Sequence, residues 1–253
     1  MENANDSVGP QVSLQLANTS TQSPSDIAFR NLQERLFRES AGTITEKVDL
    51  FPRFSSRQAI SQFMAKQSLF SEILGVHGSI IECGVFAGGG LFTWMQLSSI
   101  LEPFNHNRRI IGFDSFEGFP ELTPEDEASP HAPDEYRFKG AYAFRNIDEI
   151  LSGVKLHDTN RPIGHIPKVE IVKGDALEMI PEYIQDNPHL VVALLYLDFD
   201  LYEPTKIALE QFLPRMPRGA VVAFDELNQA QWPGETRALV DHSGISELRI
   251  RRF

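Results

Sequence analysis

Five short apolar runs, each closing on a carboxylate, constrain this chain more than any other feature. They are SIIECGVF from Ser79, RRIIGFDSF from Arg108, VEIVKGDA from Val169, VVALLYLDFD from Val191 and AVVAFDE from Ala220. Continuous apolar runs of this length suit strands buried on both faces, and helical stretches such as FTWMQLSSIL and PTKIALEQFL lie between most of them. Strands alternating with helices predict an α/β fold, a mostly parallel central sheet with helices on both faces.

The run ends fall at Glu82, Asp114, Asp175, Asp198 with Asp200, and Asp225 with Glu226. In an open parallel sheet these tips share one edge, the edge where such folds bind ligands. A single acid there would be a strand meeting solvent; five successive acidic tips point to a site. Glu82 opens ECGVFAGGG, whose Gly84, Gly88, Gly89 and Gly90 make a turn into a helix. Glycines let backbone approach a ligand closely. The spacing is not the dinucleotide fingerprint, because Phe86 stands where its second glycine belongs, and no Gly-Lys-Ser/Thr phosphate loop follows. Asp114 is placed to accept hydrogen bonds from both hydroxyls of a ribose, and Asp175 in KGDA to read an adenine amino group. A nucleoside lying across the sheet without a pyrophosphate fits this pattern. S-adenosylmethionine is such a molecule, and its sulfonium cation suits an acidic pocket.

The chain has 253 residues, 42% of them hydrophobic, which suits one domain with a sizeable core and an appended arm. Its formal charge of -12 disfavours nucleic acid as a partner. The one cysteine, Cys83, rules out an internal disulfide and fits a reducing, cytoplasmic setting. No run approaches the roughly 18 apolar residues of a membrane helix, so no membrane partner is expected. Residues 1–25, rich in Asn, Ser, Thr and Gln, read as an N-terminal arm that packs on another subunit of a homo-oligomer. Residues 26–78 read as a helical cap. Within it, Ser55 or Ser56 would start a helix with Ile60, Phe63, Met64 and Leu69 as its buried stripe. Residues 79–253 form the core, interrupted at about 121–164 by a Pro-, Asp-, Glu- and His-rich insertion expected to act as a lid. LRIRRF at the C-terminus reads as a sixth strand. A seventh, antiparallel strand would then come from more chain, or the edge would be left for another subunit.

ECGVFAGGG, IIGFDSFEGFP, VKGDA, LYLDFDLYEPT and VVAFDE, in that order, resemble the TylF/MycF family of sugar O-methyltransferases from about Asp49 onward. DLFPRFSSRQ and GFDSFEGFPE are the most specific parts. The resemblance implies a Rossmann-like class I methyltransferase fold and dependence on S-adenosylmethionine and a divalent cation such as Mg2+. It also implies a small-molecule acceptor, a hydroxyl of a nucleotide-linked or glycoside-linked deoxysugar in an antibiotic pathway, with the enediyne branch as one setting. It assigns cofactor binding to Glu82, Gly84, Val85, Phe86, Gly88, Asp114, Ser115, Phe116, Gly174, Asp175, Ala176 and Asp198. Asp198, Asp225 and Glu226 match its metal positions, though Glu226 stands where an aspartate is expected. The cation would lower the pKa of a bound alcohol and hold its oxygen for in-line attack on the methyl carbon. The lysine base of catechol-type relatives is replaced by Leu201, so the proton acceptor is either Asp198 itself or His131 from the lid.

Several residues carry two readings. Asp200 either supports the site or caps the helix that Pro204 begins, the structural role being favoured. Phe116 either stacks on adenine or joins the core. Arg137, Lys139 and Arg145 either meet a diphosphate or balance neighbouring acids, and Trp232 with Arg237 is placed as a substrate wall. A phenolic or polyketide hydroxyl is the alternative acceptor. A glycosyltransferase reading of Asp198-Phe199-Asp200 and a non-catalytic cofactor-binding module are the remaining alternatives.

Overall fold

The computed structural model describes residues 22–127 and 136–253. Most of the expected arm, and His131, lie outside the described residues. The order of elements is α1 (Pro24–Glu39), α2 (Ile44–Asp49), α3 (Phe51–Phe54), α4 (Arg57–Glu72), β1 (Ser79–Cys83), α5 (Gly89–Leu101) and β2 (Ile110–Asp114). Then follow α6 (Ile147–Asn160), β3 (Val169–Lys173), α7 (Ala176–Asp186), β4 (Val192–Leu197), α8 (Tyr202–Phe212), β5 (Val221–Phe224) and α9 (Gly234–Ser243).

The five strands form one sheet in the order β3-β2-β1-β4-β5, and every neighbouring pair is parallel. The chain therefore builds outward from β1 to β3, returns to place β4 on the other side of β1, and continues outward to β5. A crevice opens at the carboxyl ends of β1 and β4, where the winding reverses. Side chains alternate across the pleat. Ile80, Ile110, Leu194 and Tyr196 face α4, α5 and α6, packing on Phe70, Trp94 and Ile150. Ile81, Ile111, Phe113, Leu195 and Leu197 face α7, α8 and α9, packing on Ile180, Leu209, Phe212 and Ala238. All of VALLYL in β4 is buried, which explains an apolar run without alternation.

Two sequence expectations are corrected here. Ser56 does start α4, accepting from the Ala59 amide at 3.1 Å. The buried stripe, however, is Leu69, Phe70 and the following Ile73, while Phe63 and Met64 are 40% and 60% exposed. The buried residues of α4 are confined to its C-terminal end. The second correction concerns LRIRRF. Leu248 and Ile250 alternate with Arg249 and Arg251 as an edge strand would, yet residues 248–253 form no ladder. Arg251 instead bonds Glu72 of α4 at 2.9 Å and stacks on Phe253, holding this segment to the helix layer beside β5.

The helices before β1 are unequal partners. α1 is capped by a reciprocal Ser23–Asp26 box but buries no residue. It is tied down through Phe37, whose ring meets Phe54 edge-on at 5.1 Å, and through Lys47, which donates to the Phe37 carbonyl at 2.6 Å. The segment at 121–164 divides in two. α6 covers the sheet beside α5, with Ile150 in the core. Of the described residues before it, Thr123, Asp126, Lys139 and Tyr142 line the cavity at the carboxyl edge.

Candidate functional site

The carboxyl edge carries a cavity of about 960 Å³. Its floor is where β1, β2 and β4 end. Asp114 organises one side. Its Oδ2 accepts from the amides of Val85 (2.8 Å) and Phe86 (2.7 Å), and its Oδ1 from the amide of Phe116 at 2.6 Å. Burial raises the Asp114 pKa, and these three amide bonds oppose it. Phe86 and Phe116 hold φ values of 48° and 59°, in the left-handed region that non-glycine residues seldom adopt. Such conformations cost of order 1–3 kcal/mol each and persist only where neighbours over-determine them; the Asp114 bonds do so here. Phe86 can thus occupy a glycine position in ECGVFAGGG because a carboxylate from the next strand holds its amide.

Of the expected cofactor residues, Gly84, Phe86, Asp114, Ser115 and Asp198 line the cavity, as do Gly174, Asp175 and Ala176. Asp175 also caps α7, accepting from the Leu177 amide at 2.9 Å. Phe116 does not reach the cavity: its ring is fully buried in the core and its amide is engaged by Asp114. Of the two readings of Phe116, its burial therefore supports the core and corrects its place among the cofactor-binding residues. Val85 likewise packs in the core, and Gly88 and Glu82 lie outside the cavity lining. Glu82 is 1% exposed, and burial pushes its carboxyl up to about 8 against the pull of Lys66 and Trp94. Its Oε2 and the Trp94 indole nitrogen face the same interior without completing a hydrogen bond of ordinary geometry. Gly90 makes room for this side chain, since a Cβ there would stand 1.6 Å from Glu82 Oε1.

The second side is acidic. The amide of Asp198 extends the ladder to the Cys83 carbonyl at 2.9 Å, and that of Asp225 to the Leu197 carbonyl at 3.0 Å. Both carboxylates therefore ride on sheet hydrogen bonds rather than on loops. Burial raises the Asp198 pKa far above its usual range, reinforced by the charges of Asp225, Asp200 and Glu235. Asp200, Asp225 and Glu226 line the same cavity. Among the described residues, no three His, Cys, Asp or Glu side chains are grouped as a metal ion would need. The expected set of Asp198, Asp225 and Glu226 is therefore not assembled as three ligands; Asp198 and Asp225 do present carboxylate oxygens, the donor type a hard cation takes, on adjacent strand tips, and the Asp225 charge disfavours ionised Asp198.

Sequence reasoning missed the residues that fix this side. Glu235 is fully buried, accepting from the Asp200 amide through Oε1 and the Glu226 amide through Oε2, each at 3.2 Å. It sets both acidic turns from α9, and burial with the Asp200 charge pushes its pKa far up. Asp200 does not cap α8: the cap position is Leu201, and the Tyr202 amide is taken by Asp126 Oδ1 at 2.7 Å. Asp126 reaches across from the loop before α6. Its own turn is pinned by Arg137, which binds the carbonyls of Asp126 and Gln231, and by Arg237, which binds those of Pro124 and Glu125. Arg137 and Arg237 are therefore engaged with backbone. Trp232 does stand at the cavity wall, with the Arg137 guanidinium 4.9 Å from its ring centre and Phe119 at 5.3 Å. Lys139 and Arg145 pair with Glu121 and Glu117 at the exposed rim. QWPGE carried the only sequence signal for Glu235: an acid in the first turn of a helix that Pro and Gly introduce.

With this geometry in view, the relatives are informative. The family model described as macrocin-O-methyltransferase (TylF) matches residues 64–242, well over half of the chain. A Streptomyces olivaceus protein named 8-demethyl-8-(2,3-dimethoxy-alpha-L-rhamnosyl)-tetracenomycin-C 4'-O-methyltransferase is 28% identical over 157 residues. That match covers 60% of this chain and 54% of the relative, so the chain spans about half the length of that relative. The crystal structure of CalS11, described as calicheamicin methyltransferase, superposes with a TM-score of 0.86 at 32% identity, over 96% of this chain and 93% of that one. An apo structure of CalS11, described as TDP-rhamnose 3'-O-methyltransferase, gives 0.78 at 33% identity over 91% of each chain. The sheet is thus that of a Rossmann-like class I methyltransferase, and the chain belongs to the TylF macrocin-O-methyltransferase family.

Proposed function

We propose that this protein transfers a methyl group from S-adenosylmethionine to a hydroxyl of a deoxysugar in antibiotic biosynthesis, with a divalent cation at the acidic tips. The observation that carries the reading is that Asp198 and Asp225, at the tips of adjacent strands, line the cavity that the glycine turn also lines. One cavity so offers a nucleoside crevice and a hard-oxygen site side by side. The CalS11 description as a TDP-rhamnose methyltransferase supports a nucleotide-linked 6-deoxyhexose as acceptor.

In this reading the turn from Gly84 to Gly88 receives the methionine part of the cofactor. Asp114 keeps that turn in place and accepts from the ribose, and Asp175 stands at the adenine end. The sulfonium supplies an electrophilic methyl carbon. Asp198 and Asp225 would hold the cation, with Glu226 beside Asp225 on the same turn, and such a cation would supply a Lewis acid that lowers the pKa of the acceptor hydroxyl. As the O–CH3 bond forms and the S–CH3 bond breaks, the hydroxyl proton passes to an Asp198 carboxylate oxygen, the acid nearest the strand tip that the cofactor turn abuts. Trp232 and Phe119 close the cavity on the acceptor side and exclude water.

The test is an assay of a panel of nucleotide-linked 6-deoxyhexoses with S-adenosylmethionine, with and without a chelator. Methylated sugar that disappears with chelator and returns with Mg2+ supports the proposal. Transfer indifferent to chelator removes the cation, and transfer confined to catechols or polyketide phenols removes the sugar.

A further inference from the structure

Behind the acidic tips runs a hydrogen-bonded chain that enters from the helical layer. Lys66 of α4 donates through Nζ to the Tyr196 hydroxyl at 2.9 Å, and the Tyr196 hydroxyl bonds Asp225 Oδ1 at 2.6 Å. The direction is fixed by chemistry: an ammonium only donates, so the tyrosine accepts from Lys66 and must spend its own proton on Asp225. The Lys66 nitrogen also stands 4.1 Å from the Tyr196 ring centre and 5.8 Å from that of Trp94. Tyr196 is 5% exposed in β4, an inner strand between β1 and β5, where an apolar residue would bury without needing a partner.

A second feature shows that the place for Lys66 is built. Its Cε lies 3.2 Å from where a Gly90 side chain would begin, and Glu82 Oε1 fills the rest of that space. The glycine-rich turn is cut away not only toward the cavity but also toward this lysine. Lys66 thus reaches Tyr196 beside the space that Gly90 leaves for the buried Glu82.

We propose that Lys66 is a positioning residue that, through Tyr196, fixes and polarises Asp225 for methyl transfer. This rests on the functional reading above, in which Asp225 is a cation ligand. A hydroxyl that accepts from a cation donates more strongly, and hydrogen bonds to ionised partners are about twice as strong as neutral ones. Asp225 Oδ1 is thereby locked on one side. An isolated Tyr–Asp pair would fill the same space but would not bring charge to it.

The experiment compares wild type, Lys66→Met, Lys66→Arg, Tyr196→Phe and Lys66→Met/Tyr196→Phe. It measures kcat and KM for S-adenosylmethionine, Mn2+ affinity in the presence of S-adenosylhomocysteine, and Tm. Each of Lys66→Met and Tyr196→Phe is expected to lower kcat about tenfold and weaken Mn2+ binding. KM for the cofactor should stay within about twofold, and the double variant should fall little below either single one. Lys66→Arg, which keeps the charge, should recover most of kcat. Full kcat and Mn2+ affinity in Lys66→Met, or losses explained by Tm and cofactor affinity alone with no recovery in Lys66→Arg, would overturn the role. An inactive, Mn2+-blind wild type would instead defeat the functional reading itself.

Discussion

Gly84 and Asp198 are in backbone contact: a Cβ on Gly84, at φ +93°, would stand 2.0 Å from the Asp198 carbonyl oxygen. The turn that opens the cofactor crevice and the strand tip that bears the central acid therefore cannot shift independently. Gly84→Ala must push the two apart. It is expected to lower S-adenosylhomocysteine affinity at least tenfold by calorimetry and to lower Tm by several degrees, since both a left-handed φ and a backbone clash are involved.

Asp114 holds the other face of that turn. Asn in its place offers one acceptor oxygen to amides that now share two, leaving at least one buried N–H unpaired. A loss of about 1–3 kcal/mol is expected for Asp114→Asn, read as a lower urea midpoint without a change in slope. Weaker cofactor binding should accompany it. An unchanged midpoint would show that the positive-φ turn stands without its carboxylate.

Glu235 makes a separable prediction. Glu235→Ala leaves the Asp200 and Glu226 amides without acceptors and opens a cavity beneath both acidic turns. Turnover should collapse while S-adenosylhomocysteine still binds, because the cofactor turn is tied to Asp114 and not to Glu235. Equal loss of both, measured on the same preparation, would contradict that division.

Glu82 gives a pH prediction whose sign can be worked out. Its carboxyl is raised from 4.5 to about 8 in the folded protein, chiefly by burial. The native state thus binds this proton more tightly than the unfolded chain does. The group's contribution is complete below about pH 4.5, declines as pH rises toward 8, and is constant above. Glu82→Gln cannot ionise, so its Tm relative to wild type should rise steadily between pH 5 and 8 in cofactor-free protein. A Tm difference independent of pH would refute the assignment.

What the sequence disclosed and what it hid follow one physical division. β4 was legible because a strand buried on both faces must be continuously apolar and must stop where it meets the site, at Asp198. The tips at Asp114, Asp175, Asp198 and Asp225 were legible for the same reason, and α5 and α8 by their length between strands. Contacts made across the fold were not. Asp126 caps α8 from 76 residues away, and Lys66 meets Tyr196 from 130; no local pattern announces either. LRIRRF has the alternation of a strand, but alternation says nothing about whether a partner edge is taken up. Phe116 and Phe86 look alike in sequence, and both amides are held by Asp114, yet the first ring is buried in the core while the second lines the cavity, a difference no local pattern announces.

The claim on which the rest depends is that Asp198 serves the chemistry and not the scaffold. It is tested most directly by measuring methyl transfer and S-adenosylhomocysteine binding side by side in Asp198→Ala. The account predicts turnover reduced by about a thousandfold or more with cofactor affinity within a few-fold of wild type. Methyl transfer at the wild-type rate by Asp198→Ala would contradict it.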